Sequence, residues 1–198
     1  MKTKHDKNNG FTLIELIIVI TILSILAVIA IPKFNNYRKL AKARKATVDC
    51  YHIEKAITLH YHDTEQWLIF KDTNSTNQEG LTGKGSDSFK PSGWSGPYLE
   101  QWPLNPFNKK SNGTSSSNED YQVDYRKIDG VNSLCIELSL PNYDEDIINY
   151  MDEKLDNSDG PNSGKFRYAS NNRYPIYVIE KNPIPPIKDT KGNTISPH

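Results

Sequence analysis

The chain has 198 residues, and 24 Lys and Arg residues balance 24 Asp and Glu residues, so its formal net charge is +0. This balance argues against a general nucleic-acid binder, which carries an excess of basic residues. The length allows one membrane anchor and one soluble domain of about 140–150 residues, which is large enough for a single hydrophobic core.

A polar leader, residues 1–10, precedes an almost wholly apolar run of 21 residues, 11–31. In a helix this run spans about 32 Å, which matches a hydrocarbon core of about 30 Å and predicts a transmembrane helix. Glu15 is the one carboxylate in the run. An ionised carboxylate costs roughly a few kcal/mol in a bilayer, and an anchor needs none. Glu15 therefore either reaches the interface one turn from the polar end or has a specific function.

A secretory signal peptide is the alternative, with a basic leader containing Lys2, Lys4 and Lys7 and a cleavage site at residues 28–30. The run is longer than the apolar region of such peptides, which has roughly 7–15 residues, and a buried Glu is unfavourable in one. Both observations favour a retained membrane segment.

The residues at this boundary, positions 10–16, read Gly-Phe-Thr-Leu-Ile-Glu-Leu and are followed by the apolar run and Pro32. The pattern resembles the class III signal of type IV pilins and type II secretion pseudopilins. The resemblance implies that a prepilin peptidase, a membrane aspartyl enzyme, cuts after Gly10 and methylates the new amine of Phe11. It also implies that Glu15 is the acid that the family uses in assembly.

The residue types suit these roles. Gly10 has no side chain, so a peptidase can approach its backbone closely. After cleavage the Phe11 amine and Glu15 stand four positions apart, and opposite charges at this spacing can neutralise each other within one chain or between neighbours. Glu15 also lies in the first helical turn, where the helix dipole favours an acid.

The charges that flank the run conflict with the orientation that the resemblance implies, with the leader in the cytoplasm. Six cations follow the run and outnumber the three lysines of the leader; they are Lys33, Arg38, Lys39, Lys42, Arg44 and Lys45. The positive-inside rule alone therefore predicts the opposite orientation. We follow the resemblance, and interpret these cations as a solvated face near anionic headgroups rather than as a DNA-binding stripe.

Pro32 removes a backbone donor and disfavours a helical conformation at Ile31, so it predicts a kink or a short break. Beyond it, apolar residues recur at steps of three and four, which predicts an amphipathic continuation over residues 32–66. Residues 71–97 and 108–119 read as polar loops. The aromatic and proline residues of 94–107 are similar to the segment after the long helix in major pseudopilins.

Alternating apolar and polar residues predict strands over 121–126, 133–140 and 175–180, and Asp129-Gly130 predicts a hairpin turn between the first two. A short helix is predicted over 143–155, with Asn142 and Glu145 at capping-box spacing. The tail, residues 182–198, is rich in proline and is predicted to be extended.

Cys50 and Cys135 are the two cysteines of the chain. In a domain outside the cytoplasm a disulfide between them is allowed, and it would stabilise the fold by roughly 4–5 kcal/mol. The alternative is two buried free thiols, because Cys135 has the opposite strand parity from Leu134 and Ile136. We expect the disulfide.

Residues 152–163 offer several carboxylates, amides and carbonyls near glycines. Ca²⁺ prefers oxygen ligands in a tight loop, so Asp156 and Asp159 are candidate ligands of one Ca²⁺. The alternative is a plain polar turn between a helix and a strand.

Together these predictions describe an α+β fold in which a long, kinked N-terminal helix, transmembrane in its first half, packs on a small antiparallel sheet. The expected parts are a leader (1–10), a transmembrane or filament-core helix (11–31), its amphipathic continuation (32–66), a globular head (67–181) and the tail (182–198). The expected location is the bacterial inner membrane, with a cytoplasmic N-terminus, and then a periplasmic or cell-surface filament.

The resemblance implies a structural subunit of a type IV pilus-like filament or of a type II secretion pseudopilus, and not an enzyme. The implied partners are a prepilin peptidase, other pilin or pseudopilin subunits in a helical polymer, and an inner-membrane assembly platform. A membrane-anchored extracytoplasmic binding module is the alternative outside this family.

Overall fold

The longest element is helix α1, Leu13–Thr64, in a computed structural model that describes residues 11–68, 80–84, 90–108, 120–169 and 174–181. The predicted leader, the tail and most of the two predicted polar loops lie outside these residues. The helix continues through Pro32, so of the predicted kink or short break at this residue the break is wrong. A proline removes one backbone hydrogen bond, and the helical residues on either side keep theirs. The helix ends where Glu65 adopts a left-handed φ of 54°.

The chain divides into two compact units, Met1–Lys39 and Leu40–His198. In the first unit every residue from 11 to 38 is exposed. An 18-residue window of α1 has a mean hydropathy of 3.0 and is 0% buried. This window is long and apolar enough to cross a membrane, and its side chains take no part in a protein core.

The second unit contains a four-stranded antiparallel sheet with the order β1-β2-β4-β3. Its strands are β1 (Gln122–Ile128), β2 (Val131–Glu137), β3 (Phe166–Arg167) and β4 (Ile176–Lys181). The three predicted strands are confirmed to within a few residues. The predicted hairpin turn is confirmed as well, because Asp129 and Gly130 have φ of 53° and 81°, as a two-residue turn of this kind requires.

One face of the sheet packs on the second half of α1. Ala43, Ala46, Cys50, Ile53 and Ile57 of the helix are buried in one cluster with inward-facing sheet residues, which include Val123, Leu134, Ile136 and Tyr177. This arrangement confirms the predicted α+β architecture, a long N-terminal helix with a small antiparallel sheet.

A second helix, α2 (Glu145–Asp156), joins this core through Ile148 and Met151. Its N-cap is Asp144, whose carboxylate accepts the Ile147 N–H at 3.4 Å. The predicted cap at Asn142 is therefore wrong, because the helix begins later in the sequence and the cap must directly precede it.

Candidate functional site

Glu15 lies in the first turn of α1, where Thr12 holds its carboxylate. The Thr12 N–H and the Thr12 hydroxyl both donate to Glu15 Oε2, at 2.8 and 2.7 Å. The Glu15 N–H donates back to Thr12 Oγ1 at 3.3 Å. This reciprocal pattern is a capping box, which satisfies orphan donors at a helix start. The carboxylate is therefore directed toward the end of the helix at which the predicted cleavage occurs.

Thr12 is a residue that the sequence analysis did not assign to the site. The signal for it was present, because Thr12 and Glu15 have the spacing of a capping box directly before an apolar run. Phe11, the predicted modified residue, is 80% exposed beside this cap. Gly10 lies outside the described residues, so the predicted cleavage site is seen from its Phe11 side alone.

The second predicted site is an acidic cluster at the C-terminal end of α2. Asp152, Asp156 and Asp159 each place a carboxylate oxygen within 4.8 Å of the others. Asp152 and Asp156 are one helical turn apart and so share a face of α2. The chain then turns sharply, through left-handed residues at Asn157 and Ser158, and brings Asp159 back to them.

The hydrogen bonds of this cluster leave carboxylate oxygens without donors. Asp156 Oδ2 accepts the Phe166 N–H at 2.6 Å, and Asp152 Oδ2 accepts the Tyr168 hydroxyl at 3.2 Å. Asp152 is 5% exposed. The Oδ1 atoms of Asp152 and Asp156 are buried and have no hydrogen-bond partner among the described residues. Burial without a partner is costly for a carboxylate, so a cation bound at these two atoms would lower that cost.

The backbone of Gly164 completes the cradle. A Cβ at this position would lie 2.3 Å from the nearest oxygens of both Asp156 and Asp159, so only a glycine fits, and its φ is +59°. Oxygen ligands of one Ca²⁺ stand about 2.3–2.6 Å from the ion, so two of them are at most about 5 Å apart. The three carboxylates meet this condition, and an all-oxygen set of this kind suits Ca²⁺.

The electrostatics of the cluster agree with its geometry. Burial raises the pKa of the Asp156 carboxyl to about 6, and the neighbouring Asp152 and Asp159 carboxyls add to the rise. Near neutral pH the close approach of these negative charges therefore destabilises the folded chain. A bound divalent cation would remove that cost.

The predicted disulfide between Cys50 and Cys135 is wrong, since both thiols are free and buried. Cys50 belongs to the main core between α1 and the sheet. Cys135 lies in a small cluster with Ile128 and Val178 on the other face of the sheet. Its neighbours Leu134 and Ile136 face the main core, and adjacent strand residues point to opposite faces, so the sheet separates the two sulfur atoms.

Comparison with known protein families finds a match at the N-terminal end of the chain. The model of the family described as "Prokaryotic N-terminal methylation motif" matches residues 5–31. No curated protein and no solved structure matches the chain.

The matched stretch contains the predicted cleavage boundary, Phe11 and Glu15, and it ends with the apolar run. The motif implies processing by a prepilin peptidase and assembly with other pilin subunits. The chain therefore carries the class III signal of the type IV pilins and pseudopilins.

Proposed function

We propose that this protein is a structural subunit of a type IV pilus-like filament at the bacterial cell envelope. One observation supports this most directly: the methylation motif, residues 5–31, covers the apolar start of α1, and an 18-residue apolar window of this helix is 0% buried. Such a helix anchors the subunit in the inner membrane before assembly. In a filament the same surface packs against neighbouring subunits, in a heterologous contact that need not close.

The mature N-terminus tests this proposal. Protein from cells that contain the peptidase should have the intact mass of a chain that begins at N-methylated Phe11. A Gly10→Leu variant adds a side chain at the cleavage point and should accumulate at full length. A mature start at Ile31 would instead show cleavage as a secretory signal peptide, and would overturn the proposal.

A subunit of a type II secretion pseudopilus is the second candidate, since the N-terminal motif is common to both assemblies. The aromatic and proline-rich segment 94–107 favours it by its similarity to major pseudopilins. Deletion of the gene discriminates between the two functions. Loss of surface filaments with normal protein secretion supports the pilus, and secreted proteins retained in the periplasm support the pseudopilus.

We also propose that Asp152, Asp156 and Asp159 bind one Ca²⁺, on the basis of their proximity and of the buried, unpartnered Oδ1 atoms of Asp152 and Asp156. Ca²⁺ that binds the folded state alone stabilises it, by about 2.7 kcal/mol at a hundredfold excess over the dissociation constant. The Tm of the full chain in detergent should therefore rise with millimolar Ca²⁺ and fall with a chelator.

Asp159→Ala should abolish this response to calcium, and Asp146→Ala, which removes an exposed acid of the same helix, should leave it intact. If Ca²⁺ does not change the Tm of the unmodified chain, the segment is a plain polar turn. Neither result bears on the processing experiment, so the two proposals stand or fall separately.

A further inference from the structure

The segment that directly follows the apolar run combines cations and aromatic residues. No acid occurs between Glu15 and Asp49, whereas Lys33, Arg38 and Lys39 all lie within eight residues of Ile31. Phe34 and Tyr37, between these cations, are 61% and 69% exposed. The Arg38 guanidinium lies 5.9 Å from the centroid of the Phe34 ring.

The angular distribution of the cations decides what kind of partner they fit. A helix turns about 100° per residue, so Lys33, Arg38 and Lys39 stand at about 0°, 140° and 240° around the axis of α1. They form a ring rather than a stripe. A DNA duplex or a docked protein would meet one side of the helix, whereas headgroups surround a helix that leaves a bilayer.

The direction of the side chains brings these charges toward the membrane. In an α-helix each Cα–Cβ bond is tilted toward the N-terminus, so side chains beyond Ile31 lean back toward the apolar run. Lys33 follows the run by about 3 Å along the axis, and Arg38 by about 10 Å. A headgroup layer is roughly 5–8 Å thick on each side, and long basic side chains reach further still.

We propose that Lys33, Phe34, Tyr37, Arg38 and Lys39 form a belt that binds the headgroups of anionic phospholipids. The proposal rests on the membrane anchoring in the proposed function. The cations pair with lipid phosphates on all sides of the helix, and the two aromatic rings occupy the interface, as aromatic residues do at the ends of membrane spans. The belt also gives a physical role to cations that oppose the positive-inside rule.

Lipid selectivity of the full chain tests this belt. The chain is reconstituted in vesicles of phosphatidylcholine with phosphatidylglycerol, and the motion-restricted fraction of spin-labelled lipid is measured for each headgroup. The unmodified chain should prefer the labelled phosphatidylglycerol. The preference should fall by about fivefold for each belt cation removed, because a contribution of about 1 kcal/mol per cation corresponds to this ratio. Added salt should weaken the preference of the unmodified chain.

The variant Lys33→Gln/Arg38→Gln should lose most of this preference and should still resist alkaline extraction from the vesicles. The matched control Lys84→Gln/Lys127→Gln removes the same charge from exposed positions in the second unit and should keep the preference. A preference that survives in the belt variant, or one lost equally in the control, would overturn the belt.

Two further outcomes separate this proposal from the others. An unmodified chain that is integrated in the vesicles but shows no headgroup preference refutes the belt and leaves the proposed function standing. If alkaline treatment extracts the unmodified chain from the vesicles, both the membrane anchoring and the belt are refuted. Binding of duplex DNA through Lys33 and Arg38 in neutral vesicles would show that the partner is a nucleic acid instead.

Discussion

Glu15 has one role in this structure and a second, proposed role in the processed chain. In the uncleaved chain its carboxylate accepts both donors of Thr12 and so caps α1. In the proposed mature chain, which begins at Phe11, the amine of Phe11 would lie one turn away and would be a charged partner for the same carboxylate. The capping box keeps the acid at the end of the helix where that amine would form.

Glu15→Ala should leave membrane insertion intact and block filament assembly. The substitution removes a charge from the apolar run, so insertion becomes easier and cannot explain a loss of filaments. Filament yield and resistance to alkaline extraction measure the two properties. Thr21→Ala is the matched control, because among the described residues its hydroxyl bonds only to Ile17 O, at 2.8 Å within the helix. Normal filament yield from Glu15→Ala would exclude the pairing role.

His60 is a buried titratable residue near the C-terminal end of α1. It is 3% exposed, its Nδ1 is 3.1 Å from Gln66 O, and its ring meets the Tyr98 ring edge to face at 5.6 Å. Burial lowers the pKa of His60 below the 6.5 of an unperturbed histidine. The folded state therefore favours the neutral ring.

The free energy of unfolding should consequently fall as the pH drops below 6.5, where the unfolded chain binds a proton that the folded chain resists. Above that pH this contribution should be constant. Chemical denaturation of the full chain in detergent across this range measures the fall. His60→Gln should remove this step, and His52→Gln, at an exposed position, should not. The same pH dependence in His60→Gln as in the unmodified chain would refute the assignment.

At the scale of the elements, α1 is fixed to the rest of the second unit by tyrosine–carboxylate bonds. The Tyr121 hydroxyl donates to Asp49 at 2.9 Å, and the Tyr177 hydroxyl donates to Glu54 at 2.7 Å. Asp49 is 7% exposed, so it depends on such donors. These bonds set the register of the helix against the sheet, which apolar contacts alone would fix less strictly.

Tyr121→Phe should lower the free energy of unfolding by about 1.5–3 kcal/mol, the usual contribution of a hydrogen bond to a charged group, because a buried carboxylate loses a donor. Tyr51→Phe should cost only about 1 kcal/mol, because its hydroxyl donates to the neutral Lys154 carbonyl at a more exposed position. Denaturant unfolding of both variants measures the difference. Equal costs would show that burial of the acceptor does not govern this bond.

At the scale of the whole molecule, the sheet acts as a partition between two apolar clusters. The main cluster contains Cys50 with α1, and the smaller cluster contains Cys135 with Ile128 and Val178. Burial raises the pKa of both thiols, that of Cys135 to about 12. Both sulfurs are therefore protonated, inert and on different sides of the sheet.

A thiol reagent should consequently label neither cysteine in the native protein and both after unfolding, without any reductant. A reductant should leave the Tm unchanged, because there is no covalent link to break. Mass spectrometry of the labelled chain counts the modified thiols. An unfolded, unreduced chain that stays unlabelled would demonstrate a disulfide and refute this arrangement.

The sequence by itself determined the local properties of this protein. Hydrophobic length predicted the apolar helix, Asp129-Gly130 predicted a turn that needs two positive φ angles, and alternation predicted three of the four described strands. The strand β3 has two residues, which are too few to show an alternating pattern, so the sequence did not predict it. The class III signal could be recognised from the sequence because it consists of contiguous residues. Its recognition therefore requires no knowledge of the tertiary structure.

Only the tertiary structure decided properties that depend on distant residues. The parity of Cys135 raised the question of its disulfide, but the packing of α1 on one face of the sheet answered it. The helical repeat brought Asp152 beside Asp156, and the turn at Asn157 and Ser158 added Asp159 to them. Sequence patterns fix the face that a residue occupies within its own element. What lies opposite that face depends on how separate elements pack, and that is a property of the whole fold.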